Sequence, residues 1–81
     1  MARRSISELI TDAEARLHDT RSRIAEQHTT IERRRAVGAG LKESVELLEN
    51  LETIVRLRER RLRYLREWRD LRIAAPNPDR R

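Results

Sequence analysis

The chain has no cysteine, no phenylalanine, two glycines, two prolines and only two aromatic residues, Tyr64 and Trp68, among 81 residues. Without cysteine there is no disulfide, no thiolate nucleophile and no cysteine-ligated zinc to staple a small fold. Two glycines are too few to turn a chain repeatedly through an all-β fold, and little aromatic or β-branched material is present to build a sheet. No apolar run approaches the ~18 residues that cross a bilayer. The basic start, Met1 to Ser5, meets Glu8 and Asp12 before any apolar signal segment forms. A cytoplasmic protein is therefore expected.

What remains is helix material. Ala, Glu, Lys, Leu and Arg supply 47 of the 81 residues, the range of a long helix or coiled coil. Charged residues make up 41% of the chain, with 18 arginines, one lysine and a net charge of +5. That balance favours anionic partners: nucleic acid, an acidic protein surface or anionic lipid.

Ser5-Ile-Ser-Glu8 has the spacing of a capping box, which predicts a helix start. Ile10, Leu17, Ile24 and Ile31 then recur every seven residues, with Ile6, Ala13, Thr20 and Gln27 between them. They form a stripe ~100° wide, the width of a seam against one neighbouring helix. Val37-Gly38-Ala39-Gly40 follows, with Gly38 suited to the left-handed residue that closes a helix. Beyond it Leu41, Leu48, Val55 and Leu62 recur by seven, joined by Leu51 and Leu65. Here Leu47, Ile54, Leu57, Tyr64, Trp68 and Leu71 widen the apolar arc to roughly 180°, more than one partner helix covers.

Charge sets the orientation. Residues 5–20 carry net −3, 21–36 net +3, 41–55 net −3 and 56–72 net +5. Folding back at Gly38–Gly40 sets opposite signs side by side, whereas a parallel pairing matches like with like. An antiparallel pairing of two continuous helices from different chains gives the same matching. It places two glycines inside a helix, at a cost of about 2 kcal/mol relative to alanine, so the turn is favoured. The expected fold is all-α: a two-helix antiparallel hairpin, coiled-coil-like, dimerising into a four-helix bundle. Residues 1–75 form its single domain, with a helix over 5–36, a turn at 37–40 and a helix over 41–73. Pro76 ends the second helix, and 76–81 reads as a disordered tail.

Signals for catalysis are nearly absent. His18 and His28 lie ten residues apart, about 280° around a helix, so they do not share a ligand. There is no phosphate-cradling glycine loop and no His-Glu-x-x-His motif. We expect no enzyme, no cofactor, no metal and no small-molecule substrate.

The segment that stands out is 56–72, with eight arginines, three acids, Tyr64 and Trp68. Arg58, Arg61, Arg69 and Arg72 fall on the arc shared by Leu62, Leu65 and Trp68, where an arginine must snorkel, pair or meet an outside group. In the hairpin register Arg58 comes near Asp19 and Arg69 near Glu8, so internal pairing competes with a functional role. Arg61 has Arg16 or Leu17 opposite and no evident acid. The candidate partner-binding set is Leu57, Arg58, Arg61, Tyr64 and Leu65, continued by Trp68, Arg69, Leu71 and Arg72. Tyrosine, tryptophan and arginine are the residue types that anchor protein interfaces. A non-catalytic assembly, adaptor or regulatory module, self-associating or binding another protein, therefore ranks first. A small basic nucleic-acid-binding regulator using 56–72 ranks second, since arginines with stacking aromatics grip phosphates and bases. A membrane-surface role ranks lower because no clean apolar face is present.

Overall fold

A computed structural model describes residues 4–74 as two helices, α1 (Ile6–Val37) and α2 (Leu41–Ala74), packed against each other as a hairpin. The helix bounds lie within one residue of those expected; the proposed tail at 76–81 lies outside the described residues.

The start of α1 follows from its capping box. Ser5 is extended, and its Oγ accepts from the Glu8 amide at 3.1 Å while donating to the Glu8 carboxylate at 3.2 Å. At the other end Gly38 takes a left-handed conformation (φ 78°), and its N–H donates to the Arg34 carbonyl at 2.7 Å. Gly40 is also left-handed (φ 68°), and its carbonyl accepts from Ser44 N to open α2. Two positive φ angles within three residues reverse the chain, so the helices are not one continuous rod.

Cross-helix ties fix the antiparallel register. From the turn outward they run Gln27 Nε2 to Ser44 O at 2.8 Å, Arg21 to Glu59 at 3.4 Å and Arg66 to Glu14 at 3.1 Å. The two ion pairs are solvent-exposed, so each contributes at most ~1 kcal/mol and selects alignment more than it stabilises.

The apolar core sits at the open end of the hairpin. Ile10, Ala13 and Leu17 meet Leu62 and Leu65, with Ile6, Leu9 and Val55 packed around them. Nearer the turn the buried set turns polar, with Thr20, Gln27 and Ser44 joined by Ile31. Thr20 satisfies its hydroxyl on the Arg16 carbonyl at 2.9 Å. Among the described residues no large side chain is fully sealed from solvent, which is the geometric limit of two helices that touch along one line each.

Candidate functional site

The heptad register of α2 sorts its side chains into two rows. The inner row, Leu41, Ser44, Leu48, Leu51 and Val55, continues through Arg58, Leu62, Leu65 and Arg69 at alternating steps of three and four; every member is buried or half-buried. The outer row, Ile54, Leu57, Arg61, Tyr64, Trp68 and Leu71, repeats the same steps about 100° further around the helix, and every member is exposed. Leu57 is 56% exposed, Tyr64 66%, Trp68 43% and Leu71 65%. Leu47, seven residues before Ile54, extends the row toward the turn and is exposed too.

This sorting divides the candidate residues. Leu57, Arg61, Tyr64, Trp68, Leu71 and Arg72 lie on the surface; Arg58 and Arg69 lie half-buried at the seam. Leu65, expected on the contact face, is instead 3% exposed and packs in the core with Ile10 and Leu62. The guanidinium of Arg72 lies 5.7 Å from the centre of the Trp68 ring, a cation–π contact one helical turn along α2.

The expected internal pairs of the seam arginines are corrected as well. Asp19 pairs with Arg23, four residues along its own helix, and Glu8 is engaged by the Ser5 cap. Arg69 bonds its neighbour Asp70 at 3.2 Å. Arg58 Nε is buried with no hydrogen-bond partner. Local partners win because they require less ordering of long side chains than pairs across the groove.

Arg58 and Arg61 instead line a cleft of about 90 Å³ together with Arg4, Leu9, Asp12, Ala13 and Arg16. The expected opposition of Arg16 and Arg61 thus has a place in the fold. Arg4, just before α1, is the wall residue that reasoning on the two helices missed, because it lies outside the periodic segments. Asp12 is engaged by Arg4 in an ion pair. Arg16, Arg58 and Arg61 make no ion pair among the described residues.

His18 and His28 are both exposed on α1. No group of three or more histidines or acids gathers at metal-binding distance among the described residues. No described helix is long and apolar enough to cross a membrane.

Fold and surface together define a two-helix hairpin with one apolar row turned outward. No protein-family model, curated protein or solved structure matches the chain.

Proposed function

We propose that the protein is a non-catalytic interaction module that self-associates through the outer row of α2, two hairpins forming a four-helix bundle. The observation that carries this reading is the second heptad row itself: Ile54, Leu57, Tyr64, Trp68 and Leu71, exposed at the spacing that seats one helix against another. Two apolar rows about 100° apart suit a helix that meets two neighbours at the corner of a four-helix bundle. Charge supports a second copy as the occupant. An antiparallel α2–α2 pairing brings the net −3 of residues 41–55 onto the net +5 of 56–72, and the same matching repeats by symmetry.

The test is mass in solution. Sedimentation of the full chain at micromolar concentration should give about twice the 9.7 kDa chain mass. Leu57→Glu and Trp68→Glu should halve that mass while the helical circular dichroism survives. A wild-type chain that sediments as a folded 9.7 kDa monomer across the concentration range refutes self-association.

Nucleic-acid binding is the competing reading, and the exposed pair of Tyr64 and Trp68 beside Arg61 and Arg72 is the observation that favours it. It requires affinity that falls steeply between 50 and 200 mM salt as counterions are released. Under that reading Trp68→Ala weakens nucleic-acid binding and leaves the mass unchanged. Under self-association it lowers the mass.

A further inference from the structure

We propose that the cleft between the open ends of the two helices is a binding site for a dianionic phosphate group, either free phosphate or a phosphomonoester. Its wall holds four arginines, Arg4, Arg16, Arg58 and Arg61, against one carboxylate, Asp12. Arg4 already engages Asp12, so the other three arginines that line this cleft of about 90 Å³ have no ion pair among the described residues. Leu9 and Ala13 supply the rest of the wall, which lowers the local dielectric and sharpens the repulsion among those cations.

A second observation points the same way. Arg58 sits on the inner row, where the seam calls for an apolar side chain, and its Nε is buried with no acceptor. With no internal acceptor at Nε, the Arg58 guanidinium has no partner within the fold that competes with an anion met by its outer nitrogens in the cleft. Guanidinium groups match phosphate oxygens with paired, planar N–H donors. The charge count selects among anions. Three uncompensated cations exceed what one carboxylate or one phosphodiester neutralises, and a terminal phosphate near pH 7 carries close to two charges. The size agrees, since a cleft of about 90 Å³ is large enough to admit one tetrahedral oxyanion.

The site shares Arg61 with the outer row, so protein concentration is held fixed and mass is followed separately from phosphate affinity. The full chain is titrated with inorganic phosphate, with sodium chloride of matched ionic strength as the reference, and followed by thermal denaturation and calorimetry. Phosphate should raise the midpoint saturably while chloride does not. Phenyl phosphate should act in the same way. An oligonucleotide with internal phosphodiesters only should not displace phosphate. Arg58→Gln and Arg16→Gln, both checked for helix content, should each weaken phosphate about tenfold or more. Arg60→Gln, on the polar side of α2, should leave the affinity unchanged. Equal effects of phosphate and chloride overturn the proposal, as does an equal loss in Arg60→Gln and Arg58→Gln. Oligonucleotide binding that depends on Arg58 without any effect of free phosphate also overturns it.

Discussion

Replacing Arg58 with leucine should stabilise the hairpin. Arg58 stands three residues after Val55 and four before Leu62, in a row otherwise used to bury apolar side chains. Its Nε is sealed from solvent with no acceptor. An unsatisfied buried donor costs about 1–3 kcal/mol. The side chain also lines the open cleft, which gives the rest of the guanidinium access to water, so the lower half of that range, about 1–2 kcal/mol, applies. Leucine at a half-buried seam position adds about 1 kcal/mol of apolar burial. Together these give roughly 2–3 kcal/mol. For a domain this small, 1 kcal/mol shifts the midpoint by about 4–8 °C, so Arg58→Leu should raise it by roughly 10–20 °C.

The assay is thermal and urea denaturation in phosphate-free buffer. Protein concentration must be fixed, because any association makes the midpoint depend on it. Arg63→Leu is the reference: that side chain is exposed, and its replacement should move stability by no more than about 0.5 kcal/mol. An Arg58→Leu midpoint equal to or below wild type refutes the reasoning. It would mean that Arg58 holds an interaction worth more than the penalty of its buried nitrogen.

Leu62→Ala opens the core formed with Ile10, Ala13, Leu17 and Leu65, and should cost about 2–5 kcal/mol by urea denaturation, a large part of the stability of a fold this size. Gly38→Ala should cost about 1 kcal/mol from its left-handed backbone alone, because a Cβ there meets no neighbouring atom. Gly40→Ala should cost about the same from its own left-handed backbone, since its Cβ meets only the flexible Arg34 guanidinium, which can swing aside and give up its 3.4 Å bond to the Gly40 carbonyl. In the double variant the straight helix gains on the turn, and light scattering should reveal a domain-swapped dimer that Leu57→Glu does not dissociate. Glu14→Arg removes the exposed tie to Arg66 and should cost no more than about 1 kcal/mol, with the loss shrinking at high salt.

How much of this was legible in the sequence depended on whether a residue declared itself by type or only by position. The turn was legible, because Gly38 and Gly40 are the chain's two glycines and both have positive φ. The α1 seam was legible too: Ile10, Ala13, Leu17, Thr20, Gln27 and Ile31 are buried at the expected spacing. In α2 a reading by hydrophobicity passes over Ser44, whereas Arg58 already falls on the apolar arc with Leu62 and Leu65. Ser44 stands between Leu41 and Leu48, and Arg58 between Leu51 and Leu65, at heptad positions that the flanking leucines already mark. Counting sevens through polar residues places both at the seam; scanning for leucine does not. Leu65 was misassigned for the complementary reason. It is apolar and lies in the arginine-rich segment, but it stands seven residues from Arg58 on the inner row, not seven from Tyr64 or Leu71 on the outer one.

Pairing among charges was the least legible feature, and the physical reason is competition. The sequence leads one to expect Arg58 near Asp19 and Arg69 near Glu8, yet each acid is taken by a partner within four residues of it in sequence. A contact within one or two helical turns restrains two side chains that the helix already holds close; a contact across the groove must order both against solvent for the same modest gain. Glu8, Asp19 and Glu32 of α1 are thus satisfied within four residues, whereas Glu14 bridges across the groove to Arg66. Among the arginines left without an acid, Arg16, Arg58 and Arg61 are the three that line one cleft. Their surplus is a consequence of the local pairing rule, which is why it emerges only when every charge is placed at once.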